Sequence, residues 1–136
     1  MRNNYLDFLA KICYNITIKR INGEKMEKQL GKIQDVYFGI GGYQDCCIGI
    51  YFTLGGTGWG VNDSKTTWDP NLIKWTKTCK WTEQDRSKSY DEIIRYISDL
   101  LKKAKVKTIQ ELKGIPIEGI FEDFKLISWR ILEEVL

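Results

Sequence analysis

The chain contains no histidine and no long apolar run, and each absence excludes a class of function. Histidine is the commonest general base and the commonest metal ligand, so Ser-His-Asp and Cys-His catalytic arrangements are excluded. No apolar run approaches the roughly 18 residues of a membrane span, and the N-terminus lacks the apolar core of a signal peptide. We therefore expect a cytoplasmic protein without a metal or other cofactor, and we expect it not to be an enzyme.

The four cysteines and the loop carboxylates give no catalytic motif. No C-x-x-C spacing occurs, and we interpret the cysteines as buried thiols in a reducing compartment. Carboxylates such as Asp45 and Asp63 leave paired-carboxylate chemistry open, but the sequence gives no way to place two of them across one bond. Each is otherwise a turn former, a helix cap or a solvated charge.

The net charge of +3 comes from the first 25 residues alone. Residues 1–25 hold five basic and two acidic residues, whereas residues 26–136 hold sixteen of each. A neutral body is a poor match for DNA, whose binding depends on many phosphate contacts. Since Met26 is an alternative start, the sequence leaves open whether residues 1–25 are a dispensable extension of a single domain spanning residues 1–136.

Glycines are concentrated between Gly39 and Gly60, where they interrupt sequence rich in β-branched and aromatic residues. This pattern predicts strand, tight loop, strand, tight loop, strand. Because no helix directly follows the glycines, neither a Walker loop nor a dinucleotide fingerprint fits. Two interpretations stay open: the glycines serve only turns and bulges, or they hold binding groups at loop tips.

The remaining chain predicts an α+β fold, in which an antiparallel β-sheet of hairpins packs against one long amphipathic helix and shorter helices. A capping box at Thr82 and Asp85 predicts the start of the long helix. Its predicted apolar face comprises Ile93, Ile94, Ile97, Leu100, Leu101 and Ala104. Other predicted elements are a helix over residues 5–13, a strand over 14–21 with a turn at 22–23, a helical turn opening at Pro70, a short helix over 108–114, and a closing hairpin over 115–132 that turns at Glu122-Asp123.

Five tryptophans, seven tyrosines and five phenylalanines give the chain many flat faces on which a purine could stack. Tyr43 and Gln44 are predicted at the first glycine loop, with Trp59 and Asn62 beside the second. Arg86 follows Trp81 closely, and Arg130 follows Trp129, and arginine suits bidentate capture of phosphate. The alternative for the second pair is that Trp129 belongs to the sheet core and Arg130 forms a surface ion pair.

From Lys32 to Leu136 the chain resembles a group of small phage and prophage proteins. The strings that carry the likeness are Gly-Lys-Ile-Gln-Asp-Val-Tyr-Phe-Gly-Ile-Gly-Gly-Tyr-Gln-Asp, Leu-Gly-Gly-Thr-Gly-Trp-Gly, Lys-Trp-Thr-Glu-Gln-Asp-Arg and Trp-Arg-Ile-Leu-Glu-Glu-Val-Leu. Within that group the chain is similar to the first anti-Thoeris family, by which phages block Thoeris immunity.

The resemblance implies a non-enzymatic sponge that binds glycocyclic ADP-ribose made by TIR-domain proteins, and in some members also cyclic oligonucleotides. It further implies a homo-oligomer, a dimer or hexamer, in the host bacterial cytoplasm. We expect Tyr43, Gln44 and Trp59 to bind at the glycine loops, Asn62 to contact a base or ribose edge, and Arg86 and Arg130 to bind phosphates. Replacing either arginine with alanine should then weaken ligand binding and leave the melting temperature nearly unchanged.

Two other functions remain open. One is a protein-blocking inhibitor, comparable to an anti-CRISPR factor, that would use Trp68, Trp75 and Trp81 as hot spots on a host protein. The other is a phosphodiesterase that cleaves the same signals through paired carboxylates or a bound metal.

Overall fold

The computed structural model of the protein describes residues 18–21, 24–69 and 81–136, with side chains from residue 26 onward. Within these residues, six strands form one antiparallel sheet, and one α-helix follows the fourth strand. The predicted α+β class with an antiparallel sheet is confirmed. The strands are β1 (Ile18–Ile21), β2 (Glu24–Gly41), β3 (Cys47–Gly56), β4 (Trp59–Trp68), β5 (Pro116–Glu122) and β6 (Lys125–Ile131), and the helix is α1 (Glu83–Ala104).

The long strand β2 lies at the centre of the sheet. The strand order is β4-β3-β2-β5-β6, and β1 pairs with the first residues of β2. The N-terminal part of β2 pairs with β5, whereas its C-terminal part, from Lys32 to Gly41, pairs with β3. The glycine-rich region thus forms the β2–β3–β4 half of the sheet, with the predicted alternation of strands and tight loops.

A β-bulge at Gln34 determines which side chains of β2 face the helix. The register with β3 shifts between Ile33 and Asp35, which leaves Gln34 as the extra residue. Because side chains alternate along a strand, this extra residue reverses the alternation. Ile33 and Val36 therefore both face α1, and Asp35 and Tyr37 face away from it. We call the face that α1 covers the inner face and the opposite one the outer face.

The hydrophobic core lies between the inner face and α1. The helix contributes Leu100 and Ala104, and a 3-10 turn at Gln110–Leu112 adds the fully buried Leu112. Burying a large apolar side chain is worth roughly 1.5–3 kcal/mol, so this layer is the main source of stability. The sheet contributes Ile33, Ile50, Phe52, Leu54, Ile117 and Ile131.

Helix α1 begins where the sequence predicts because Thr82 and Asp85 form a capping box. The Asp85 backbone N–H donates to Thr82 Oγ1 at 3.2 Å, and Asp85 Oδ2 accepts from the Thr82 backbone N–H at 2.8 Å. These hydrogen bonds satisfy donors that a helix N-terminus otherwise leaves unpaired. Hydrogen bonds from the Thr82 backbone and hydroxyl also hold the pKa of Asp85 below its ordinary value.

The sheet curls toward α1, so that its two edge strands approach each other across the inner face. Trp129 on β6 donates its indole N–H to Asp63 Oδ2 on β4 at 2.6 Å. The same indole packs edge-on against Phe52, with ring centroids 5.1 Å apart. Trp59, at the start of β4, donates to the carbonyl oxygen of Leu30 on β2 at 3.2 Å. Side chains rather than backbone pairing therefore link the edges of the sheet.

Several predicted elements differ in detail. The closing hairpin turns at Asp123-Phe124, one residue later than predicted, with both residues at positive φ. The helix predicted over 108–114 contains a single 3-10 turn, and Ile94, predicted for the apolar face of α1, is 60% exposed.

In the described part of the chain, no helix has the length and apolar character that a membrane crossing requires. The elements predicted at residues 5–13, 14–17, 22–23 and 70 lie outside the described residues.

Candidate functional site

A groove of about 410 Å³ crosses β2, β3 and β4 on the outer face. We call it the outer groove. Its size is in the range that encloses a small ligand. The strand register places Asp35 opposite Thr53 and Thr53 opposite Asn62, so that one row of polar side chains crosses it. A second row beside the first consists of Tyr37, Tyr51 and Ser64.

Two stacked tyrosine rings form one end of the outer groove. The centroids of Tyr37 and Tyr51 are 4.8 Å apart, and their planes differ by 13°. Gly39 and Gly49 face each other next to this pair, so the adjoining outer-face positions carry no side chains. A Cβ at Gly41 would lie 2.8 Å from Tyr37 Oη and 2.9 Å from Tyr51 Cζ. Glycine at position 41 is therefore what allows both rings to reach this end of the groove.

The groove offers a flat face beside hydrogen-bonding groups. Tyr37 is 49% exposed, and a tyrosine face stacks well on another planar ring. Thr53 Oγ1 donates to Asn62 Oδ1 at 3.3 Å, which leaves the Asn62 side-chain amide as a donor. Asp35 Oδ1 accepts from the Val36 backbone N–H at 3.0 Å, and its second carboxylate oxygen remains an acceptor. This arrangement suits a ligand with a planar ring and hydroxyl groups.

The Tyr51 hydroxyl is buried near Gly42, and no described residue forms a hydrogen bond with it. Burial raises the pKa of Tyr51, and the neighbouring Cys47 thiol and Tyr37 raise it further. The phenol is therefore uncharged at neutral pH and keeps its O–H donor. Most buried polar groups in proteins are paired, so this one requires an explanation.

The electrostatics of the groove favour an uncharged ring over a phosphate. The charged residues lining it are Asp35 and Asp63, and the Asp63 carboxylate is turned to the inner face, where it accepts from Trp129. Lys32 is exposed on the outer face of β2, opposite Gly55 and beyond Asp35 along the strand. A phosphate would therefore be favoured at the Lys32 end and disfavoured over the polar row.

Of the six residues predicted to bind ligand, Asn62 lies in the outer groove. Tyr43 and Gln44 lie in the 3-10 turn that directly follows Gly42, and Tyr43 is 75% exposed. Gln44 Nε2 donates to Tyr43 Oη at 3.4 Å. Trp59 is on the inner face, where its ring packs edge-on against Phe121 at 5.1 Å. The turn residues thus adjoin one end of the groove, whereas the sheet separates Trp59 from it.

The two predicted arginines are already engaged by other side chains. Arg86 Nε donates to Tyr90 Oη at 2.9 Å, and the guanidinium lies 5.0 Å from the centre of the Tyr90 ring. Arg130 forms two hydrogen bonds with Glu134, at 2.7 and 3.1 Å, and one with Glu118 at 3.2 Å. These carboxylates raise the pKa of Arg130 and offset its charge. The structure thus agrees with the alternative in which Trp129 is core and Arg130 forms surface ion pairs.

Sequence reasoning missed Tyr37, Tyr51 and Asp35. A signal for the tyrosines exists, because glycine recurs at alternate positions beside each of them: Gly39 and Gly41 follow Tyr37, and Gly49 precedes Tyr51. On a strand, alternate residues share a face. The pattern therefore indicates two aromatic rings on one face of the sheet, with glycines at the neighbouring positions of that face. Asp35 gives no such signal, since its orientation depends on the bulge at Gln34.

A second, apolar pocket of about 220 Å³ lies beside the N-terminal half of α1, on the inner-face side. Phe38 and Ile48 of the sheet and Ile93 and Ile94 of the helix line it, together with Tyr90. Phe38 and Ile94 are exposed, and so is Ile40 farther along β2. Exposed apolar groups of this kind mark interaction surfaces when they are contiguous.

Among the described residues, no three Cys, Asp or Glu side chains are grouped so that they could hold a metal ion. Cys46 and Cys47 are half-buried thiols, and burial raises the pKa of Cys47. Comparison with protein-family models, with curated proteins and with solved structures finds no match to this chain.

Proposed function

We propose that the protein binds a nucleotide-type immune signal in the outer groove and sequesters it without cleavage, thereby blocking Thoeris defence in the host bacterial cytoplasm. The proposed signal is glycocyclic ADP-ribose, and cyclic oligonucleotides are further candidates. The observation that carries the proposal is the Tyr37–Tyr51 stack next to a polar row, which matches the two halves of a nucleoside. The resemblance of residues 32–136 to the anti-Thoeris family supports it.

Each part of a nucleoside has a chemical counterpart in the groove. A base stacks on a tyrosine face of the Tyr37–Tyr51 pair, because planar rings prefer offset-stacked contact. Ribose hydroxyls donate to the free oxygen of Asp35 and accept from the amide of Asn62. The phosphates extend toward Lys32, since the groove itself carries acidic and neutral side chains.

Sequestration requires that the signal be held away from its receptor for long periods. The outer groove is open to solvent along one side, and a second copy of the chain seated over it would close it. We therefore include a homo-oligomer, a dimer or hexamer, in the proposal. Burial of a ligand between copies lowers the rate of dissociation, which is where most affinity differences arise.

The test is to add glycocyclic ADP-ribose to the purified protein, record the melting temperature, and then analyse the molecule released by heat. A ligand that binds only the folded state raises the melting temperature, and the rise increases with the ratio of the free ligand concentration to Kd. We expect a rise in melting temperature and release of the intact molecule. A cleaved product would indicate a phosphodiesterase instead.

Side-chain variants then locate the binding. Asn62→Ala removes the amide from the polar row and should weaken binding by about tenfold, as for loss of one or two hydrogen bonds. Gln84→Ala is the matched control, because it removes an exposed amide from α1, on the other side of the sheet. If the wild type and Asn62→Ala bind the ligand equally well, the Asn62 amide does not contact the ligand and the polar row is not part of the binding site.

A second function, blocking a host defence protein, is favoured by the exposed apolar residues Phe38 and Ile94 of the apolar pocket and by exposed Ile40 farther along β2. Apolar groups gathered around a pocket are typical of hot spots for a protein partner. Under this alternative, Ile94→Lys abolishes capture of a host protein, and no nucleotide raises the melting temperature of the wild type. Trp68, also predicted as a hot spot, is 43% exposed and lies on the outer face.

A further inference from the structure

The Tyr51 hydroxyl makes no hydrogen bond within the part of the chain that the structure describes. Its oxygen is buried, and no described residue pairs with it. Leaving a buried hydroxyl without a partner destabilises the folded state, because the group loses its hydrogen bonds to water and gains none. Phenylalanine would provide the same ring and the same stack with Tyr37 without that loss. The hydroxyl therefore serves something other than stability.

The ring that covers Tyr51 is that of Tyr37, which is half-exposed and stacks on Tyr51 with the ring centroids 4.8 Å apart. Gly39 follows two residues later on the same face, and the Tyr37 ring lies over it, since a Cβ there would be 3.7 Å from Tyr37 Cδ2. The ring therefore rests on a glycine and not on a side chain at that position. Aromatic side chains at exposed positions change rotamer rapidly, so the Tyr37 ring can leave the stack without displacing the backbone.

We propose, building on the proposed function of the outer groove, that Tyr51 is its specificity-determining residue: the planar ring of a ribonucleoside replaces Tyr37 on Tyr51, and a ligand oxygen or nitrogen accepts a hydrogen bond from the Tyr51 hydroxyl. One stack is exchanged for another, so this step is close to neutral in free energy. The hydrogen bond is gained without further loss of hydration, because the hydroxyl is already out of water.

The surroundings of Tyr51 support this role. Its raised pKa keeps the hydroxyl protonated, and hence a donor, at neutral pH. Asp35 and Asn62 lie in the neighbouring row, within reach of a sugar attached to the stacked ring. A Cβ would lie 3.1 Å from Tyr51 Oη at Gly41 and 3.5 Å from it at Gly42, so glycine at both positions keeps two side chains away from the hydroxyl.

The experiment compares wild type with Tyr51→Phe, using adenosine and glycocyclic ADP-ribose as probes in calorimetric titration and melting curves. The variant should melt at the same or a higher temperature when free, and should bind each probe about tenfold more weakly. Tyr96 on α1 packs edge-on against Phe52 from the opposite side of the sheet, with ring centroids 6.4 Å apart. Tyr96→Phe makes the same chemical change there and should leave both dissociation constants unchanged. Tyr37→Leu removes the competing ring and should bind at least as tightly as wild type.

Each contrary result has a distinct meaning. If wild type binds a probe and Tyr51→Phe binds it equally well, the hydroxyl is not the recognition group and the proposal fails, while the proposed function stands. A fall of several degrees in the melting temperature of Tyr51→Phe overturns the premise that the hydroxyl is unpaired. A tenfold loss of affinity in Tyr37→Leu means that Tyr37 binds the ligand itself and overturns the exchange. If wild type binds neither probe, the proposed function and this inference fall together.

Discussion

Gly41 determines whether two tyrosine rings can lie side by side on the outer face. A Cβ at this position would approach Tyr37 Oη at 2.8 Å and Tyr51 Cζ at 2.9 Å, which is shorter than a normal contact. The requirement is for space and not for an unusual backbone angle, since Gly41 is not among the glycines with positive φ.

We expect Gly41→Ala to destabilise the protein by about 1–3 kcal/mol, the usual effect of overpacking, and to separate the stacked rings. The measurement is urea denaturation. Gly60→Ala is the matched control, because a Cβ there would meet nothing closer than the Leu54 carbonyl oxygen at 3.8 Å. It should change stability by no more than about 0.5 kcal/mol. Equal stability of Gly41→Ala and wild type would show that the tyrosine pair does not depend on this glycine.

At the residue scale, the sequence can identify a binding residue when its position along the chain is enough to place it. It cannot do so when the residue's role depends on a partner that only the fold brings close. Asn62 could be placed beside the second glycine loop from its position alone. Arg86 and Arg130 could not be excluded as phosphate ligands, because Tyr90, Glu118 and Glu134 meet them only through the fold. The Tyr51 hydroxyl is buried because of the register between β2 and β3, which no local sequence pattern predicts.

At the element scale, some features are determined by residues close in sequence and others by contacts between strands that are distant in sequence. The start of α1 follows from two side chains three residues apart, so the sequence is sufficient to place it. The bulge at Gln34 depends on how β2 divides its pairing between β3 and β5, which only the assembled sheet decides. A one-residue slip there would turn Asp35 and Tyr37 to the inner face and remove the outer groove.

We expect Thr82→Ala to destabilise the protein by about 1 kcal/mol at pH 7, because the capping hydroxyl is lost. Ser87→Ala, an exposed change inside α1, should have little effect. Since the folded pKa of Asp85 is lowered, the contribution of Asp85 is complete above about pH 4 and is lost as pH falls through its folded pKa. In urea denaturation, the difference between wild type and Asp85→Ala should shrink below pH 4. A difference that persists at pH 2 would contradict the capping role of the ionised carboxylate.

At the scale of the whole molecule, the curl of the sheet brings together residues far apart in sequence. Trp129 and Asp63 are on opposite edge strands, yet they form a hydrogen bond of 2.6 Å. This contact lies directly behind the outer groove, because Asp63 is the neighbour of Asn62 on β4. The shape of the groove therefore depends on a contact on the opposite face.

We expect Trp129→Phe to destabilise the protein by about 2 kcal/mol, since it removes a hydrogen bond to a charged, partly buried group. Asp63→Asn keeps an acceptor oxygen and should cost less. Urea denaturation measures both effects, and amide hydrogen exchange should show faster opening of β4 in Trp129→Phe. Unchanged exchange in β4 together with unchanged stability would mean that backbone pairing alone holds the edge strands.

The most direct test of whether the outer groove holds a nucleotide-type signal is to map backbone amide chemical shifts by NMR while glycocyclic ADP-ribose is added to the wild-type protein. We expect shifts concentrated in the parts of β2, β3 and β4 that line the groove, around residues 35–42, 51–53 and 62–64, with little change along α1. Shifts centred on α1 and the apolar pocket, or no shifts at saturating ligand, would contradict it.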